Sequence, residues 1–107
     1  MQQVDLKQLG TFQLLVLMTI ANLKDEAYGQ NIASTLREKI SKLSDPQVTI
    51  ALKRLRERGL IRVKTIIHTG SRGRPRIVYE RSLSGDKALC DVLNLIKFYE
   101  ATMERKE

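Results

Sequence analysis

Residues Leu9 to Leu23 constrain this chain more than any other stretch. Apolar side chains fall at positions 9, 12, 14, 15, 16, 17, 18, 20, 21 and 23, almost all round a helix. A helix that is apolar all round must be covered on every side. In a chain of 107 residues a single layer of neighbours falls short, so a second subunit is expected to share the task. The run is too short to cross a bilayer: Leu14 to Ala21 is about half the length required. Only Lys7 precedes it, offset by Asp5, so it does not read as a signal peptide, and a cytoplasmic location is expected.

The rest of the chain divides into elements by local signals. A second helix is expected from about Ala27 to Ile40, with Tyr28, Ile32, Ala33, Leu36 and Ile40 on one stripe. After the short polar break Ser41 to Ser44, Asp45-Pro46 offers an N-cap acceptor with proline at the first helical position. The third helix then runs from Pro46 to about Arg58, where Gly59 stops it. Leu60 to Ile67 is β-branched and partly alternating, Gly70 to Pro75 is a turn cluster, and Ile77-Val78-Tyr79 reads as a returning strand. Ser82 caps a last helix from about Leu83 to Arg105, roughly 34 Å long and longer than a small core needs. The fold class is therefore mainly α with a small β-hairpin. It is a winged helix-turn-helix in one domain spanning 1–107, with the long C-terminal helix available for dimerisation.

Charge is segregated along this frame. The net charge is +7, yet residues 37–81 hold thirteen Lys and Arg against four acids, a balance of +9 that leaves −2 for the remainder. Solubility needs basic residues but not their segregation, so a polyanion-binding middle is the better reading. On the third helix Val48, Ala51, Leu52 and Leu55 point to the core. The outward face is led by Gln47, Thr49, Ile50, Lys53 and Arg54, and suits a reader of the DNA major groove. Gln pairs with adenine, Arg or Lys with guanine, and an exposed Ile meets a thymine methyl. Arg56 and Arg58 lie at the helix C-terminus, where the macrodipole favours cations without any ligand; their expected role is phosphate contact or purely structural. Arg72, Arg74 and Arg76 are interleaved with glycine and proline on the hairpin. A solvated turn rarely needs three arginines, whereas a wing gripping phosphates or entering a minor groove does.

Other chemistry finds no constellation. His68 is the only histidine and Cys90 the only cysteine, so neither a zinc site nor an internal disulfide can be built. Cys90 is expected as a small buried apolar group, with an intermolecular disulfide across a dimer as the alternative. Tyr28 and Tyr99 are expected as packed residues. No Ser-His-Asp set, P-loop or dinucleotide glycine motif occurs, so neither catalysis nor a cofactor is expected.

With these elements in place, the sequence resembles the PadR family of bacterial winged-helix regulators. Leu9-Gly10-Thr11-Phe12-Gln13-Leu14-Leu15-Val16-Leu17 is similar to the family's opening helix, and Ala27-Tyr28-Gly29-Gln30-Asn31-Ile32 to its Tyr-Gly start of the second. Ala51-Leu52-Lys53-Arg54-Leu55 with Arg58-Gly59-Leu60-Ile61 resembles the recognition helix and wing entry. Gly73 to Tyr79 resembles the wing, and Ser82-Leu83-Ser84-Gly85 the start of the last helix. The chain departs from the pattern at Thr49, where a tyrosine is usual, and at Pro46, where a small residue is. The resemblance implies a homodimer built from the first and last helices. The interface residues would be Phe12, Val16, Leu89, Val92, Leu93, Ile96, Tyr99 and Met103. It further implies a transcriptional regulator, a repressor on a near-palindromic operator of double-stranded DNA. Some relatives bind aromatic or drug-like effectors between subunits; with no Trp in the chain, stacking of an effector would fall to Tyr or Phe. A different class stays open: an architectural, partition or replication DNA-binding protein, or a protein-interaction adaptor.

Overall fold

The computed structural model describes residues 10–68 and 75–104. Four α-helices and one hairpin follow in order: α1 (Thr11–Leu23), α2 (Gly29–Arg37), α3 (Asp45–Glu57), β1 (Ile61–Ile67), β2 (Arg76–Arg81) and α4 (Leu83–Glu104). A single 3-10 turn, Lys24–Glu26, joins α1 to α2. This is the mainly helical winged-helix order expected from the sequence. No helix of the described residues is long and apolar enough to cross a membrane.

Helix α1 is the hub. It packs on α2, α3, α4 and β2, and Val16, Leu17 and Ile20 are buried along it. Ile32, Ala33 and Leu36 of α2 close over them, joined by Val48, Ala51, Leu52 and Leu55 of α3 and by Val78 of β2. Side chains of this size each contribute about 1.5–3 kcal/mol on leaving water. Phe12, Leu14, Leu15 and Met18 remain only partly covered.

The helix-turn-helix is held by local bonds. Its third helix begins one residue earlier than expected, because Ser44 is the cap and Asp45 is not. The Ser44 hydroxyl accepts from the Gln47 backbone amide at 3.4 Å, and the Ser44 amide donates to Gln47 Oε1 at 2.9 Å. This reciprocal box satisfies two amides that would otherwise lack partners. Arg37 spans the turn, donating to the Leu43 carbonyl at 3.0 Å and pairing with Asp45. Replacing Ser44 with alanine should cost about 1 kcal/mol, read as a small fall in the denaturant midpoint with unchanged slope. At the other end α3 stops at Gly59, whose φ of +72° is one that glycine adopts at no steric cost. The Leu60 amide reaches back to the Leu55 carbonyl at 3.0 Å and the Gly59 amide to that of Arg56 at 2.9 Å, a complete Schellman closure.

The hairpin pairs antiparallel from Ile61↔Arg81 to Ile67↔Arg76, with a register shift between Val63 and Thr65 that inserts Lys64 as an extra residue. Lys64 pairs with Asp25 and so ties the wing to the α1–α2 connection. That hydrogen bond, with the opposite charge of the partner in each case, holds the Asp25 carboxyl below its usual pKa and Lys64 above its own. A third backbone segment joins the sheet that the sequence did not announce. Tyr28 bridges Val78, and the Tyr79 amide donates to the Ala27 carbonyl at 2.8 Å. This pairing explains why α2 begins at Gly29 and not at Ala27.

Helix α4 starts on the expected cap: the Gly85 amide donates to the Ser82 hydroxyl at 3.0 Å, and that hydroxyl donates to the Gly59 carbonyl at 2.5 Å. Three of the residues expected at a subunit seam belong instead to the core of this one chain. Val16 is fully covered, and Leu89 and Val92 are buried beside it, because α4 packs its first half on α1 and β2. Phe12 and Leu93 stay half-buried, and Ile96, Tyr99 and Met103 stand exposed. Two further expectations are corrected here. Cys90 is exposed, lying on the side of α4 turned from Leu89. Tyr99 is 57% exposed and meets Phe98 edge to face at 5.3 Å between centroids.

Candidate nucleic-acid interface

Helix α3 presents an uncovered face beside the wing. Thr49, Ile50, Lys53 and Arg54 are all exposed, because the helix spends its opposite stripe, Val48, Ala51, Leu52 and Leu55, on the core. Ile50 is 50% exposed at the centre of that face. Gln47 is exposed too, but its side-chain oxygen serves the capping box with Ser44, leaving only its amide nitrogen free for a base.

Between α2, α3 and β2 lies an open groove of about 1160 Å³. Thr49, Lys53 and Arg56 line one wall, Ser34 and Arg37 another, and Arg76 the wing side. The uncapped start of α2, with no acid in its first turn, opens on it at Gly29 and Gln30. That end carries the positive pole of the helix dipole.

Ion pairing sorts the cations. Arg62 binds Glu80 at 2.6 Å and Arg81 binds Asp86 at 3.0 Å, while Lys64 and Arg37 are paired as described above. Arg58 donates to the Gln13 side chain at 3.1 Å, which gives it the structural role. Lys53, Arg54, Arg56 and Arg76 make no ion pair with any described residue. Lys53 and Arg56 of α3 and Arg76 at the root of the wing thus bring unneutralised positive charge to one groove, which Glu57 also lines. Lys39 and Lys42, in the turn between α2 and α3, likewise make no ion pair with any described residue. Such a surface suits an anionic ligand.

The residues nominated from sequence are therefore partly assembled. Thr49, Lys53 and Arg76 line the one groove, and Ile50 and Arg54 are exposed on α3 outside its lining, while Arg72 and Arg74 lie outside the described residues. Sequence reasoning missed Tyr28 and Ser34 as groove residues. The Tyr-Gly pair at the head of α2 was a signal for the first; nothing marked the second.

No family model matches the sequence, and no curated protein matches it either. Solved structures do match. A PadR family transcription regulator from hypervirulent Clostridium difficile superposes with a TM-score of 0.73 at 26% identity, over 90% of this chain and 97% of that one. A mutant of S. aureus MepR, bound to an oligodeoxyribonucleotide, gives 0.69 at 21% identity, over 95% and 70%. Bacillus subtilis PadR in complex with operator DNA gives 0.64 at 22% identity, over 78% of this chain and 47% of its own. The chain thus has the winged-helix fold and is similar to solved structures of PadR family regulators.

Proposed function

We propose that the chain is a sequence-specific regulator of transcription that binds double-stranded DNA as a homodimer and represses from a near-palindromic operator. The observation that carries this reading is the bare face of α3: Thr49, Ile50, Lys53 and Arg54 are exposed and unneutralised beside an unpaired Arg76. An α-helix fits the major groove, and these side chains suit base edges there. The wing then takes the flanking backbone or minor groove. The DNA-bound MepR and PadR structures share this architecture, which supports the docking. Phe12 and Leu93 with the exposed Ile96, Tyr99 and Met103 supply the apolar surface for a second copy. The whole chain works as one winged-helix domain, its α1 and α4 doubling as the seam.

Selection of bound sequences from a random duplex pool at about physiological salt tests the reading. Enrichment of an inverted repeat, with half-sites about 34 Å apart, is the expected result. Binding without enrichment would assign an architectural or partition role, and no binding would leave the adaptor reading standing. On the enriched site, Lys53→Ala and Arg54→Ala should each cost about 1–3 kcal/mol, with much less effect on random DNA. Arg74→Ala should weaken all sequences alike and reduce the log–log salt slope by about 0.9. Equal weakening by all three, on every sequence, would remove the base-reading assignment.

A further inference from the structure

Among the described cations of the hairpin, Arg62, Lys64 and Arg81 each sit on a carboxylate: Glu80, Asp25 and Asp86. Arg76 sits on a ring instead. Its guanidinium carbon lies 4.7 Å from the centroid of Tyr28. The two kinds of partner have different chemical consequences. A carboxylate accepts from the in-plane N–H groups and cancels the charge. An aromatic ring engages the flat face, orients the group, and leaves both the charge and the in-plane donors for another anion. Tyr28 is itself fixed. Its backbone bridges Val78, and its carbonyl accepts the first helical bond of α2, from Ile32 at 2.9 Å. Tyr28 and Arg76 both line the groove whose facing wall carries Lys53 and Arg56 beside Glu57.

We infer that Tyr28 is a positioning residue, holding Arg76 ready at the root of the wing as a cation for a backbone phosphate of the DNA strand that crosses this groove. The inference rests on the DNA-binding reading above and adds to it a residue that acts through another. A free arginine side chain surrenders rotamer freedom when it binds. One already stacked has surrendered it beforehand, so the contact costs less to form. The ring also sets where the guanidinium stands relative to α3, 48 positions of sequence away from the tyrosine that places it.

The test is a double-mutant cycle on Tyr28 and Arg76, read by fluorescence anisotropy with a fluorescein-labelled random-sequence duplex, because a phosphate contact needs no operator. Tyr28→Leu should weaken binding about two- to fivefold, the span expected of an exposed cation–ring pair, while Tyr28→Phe binds like the parent. Arg76→Ala should lower the log–log salt slope by about 0.9, and in that background Tyr28→Leu should add no further loss. Equal loss from Tyr28→Leu in both backgrounds would overturn the inference, making Tyr28 a structural residue alone. A loss in Tyr28→Phe as large as that in Tyr28→Leu would overturn it too, by assigning the contact to the phenol hydroxyl. An unaltered salt slope in Arg76→Ala would remove the phosphate. Should Tyr28→Leu fail to fold, Arg76→Lys answers the same question with the ring intact: a several-fold loss at unchanged slope is expected, and parental affinity would refute the stacking role. Failure of the parent protein to bind any duplex would instead overturn the DNA-binding reading itself, and this inference with it.

Discussion

Replacing Gly85 with alanine is expected to destabilise the protein by about 3 kcal/mol or more, the upper range for overpacking a tight site. For a chain of this size that is a fall of roughly 12 °C or more in melting temperature. A Cβ at position 85 would stand 2.0 Å from the Leu60 carbonyl oxygen and 3.0 Å from its carbon. The obstacle is backbone, at the turn where α3 gives way to β1, and that turn is pinned by its own bonds: the Ser82 amide donates to the same Leu60 carbonyl at 3.0 Å. The prediction discriminates because helix propensity alone gives the opposite sign, alanine being favoured over glycine by about 1 kcal/mol within a helix. Gly29→Ala is the control, since a Cβ there meets nothing within 4 Å. Thermal melts followed by circular dichroism compare the three proteins. A Gly85→Ala melt at or above the parent's would show that α4 can retreat from the turn at little cost.

Val92 and Ile96 lie one helical turn apart on α4, and charge at each should do opposite things. Val92 is 5% exposed and Ile96 41%. Val92→Asp puts an unpaired carboxylate in the core of the subunit and is expected to cost about 4 kcal/mol or more, close to the whole stability of a small domain. The chain should lose its cooperative melt. Ile96→Glu should leave the monomer fold intact, because its side chain already meets water in the single chain, and should separate the two copies. Light scattering reads the difference: a folded species of single-chain mass for Ile96→Glu, against a folded dimer for the parent. If Ile96→Glu remains a dimer, the seam is elsewhere.

The parts of the structure legible beforehand are those set by neighbours in sequence. Gly59 ended α3, Ser82 began α4, and the paired strands fell where β-branched residues flanked a glycine-rich stretch of sequence. Even the misplaced cap at Asp45 was readable, since Gln47 stands three positions after Ser44, the spacing a capping box uses. What could not be read was decided across long separations. Leu89, Val92, Leu93, Ile96, Tyr99 and Met103 form one unbroken apolar stripe, and only the ends of α1 and β2 determine that it is buried as far as Val92, half-covered at Leu93 and exposed from Ile96 on. The Tyr28–Val78 bridge and the Arg76–Tyr28 stack each join residues about fifty positions apart, so the tyrosine taken for packing proved to face the groove. On the candidate interface, helical phase alone placed Thr49, Ile50, Lys53 and Arg54 outward. It could not show that Gln47 was already engaged.

The contact between Gly85 and Leu60 has a mechanical meaning as well. It sets the start of α4 directly against the turn that closes α3, with no room for a Cβ between them. In a dimer joined through the far end of α4, about 33 Å long over its 22 residues, that helix would act as a lever carrying α3 near its other end. A change of 5° in the tilt of each lever would swing the α3 it carries by about 3 Å, close to the rise of one base pair. The spacing of half-sites that such a protein accepts is then calibrated by the side chains of the seam, remote from every residue that touches a base.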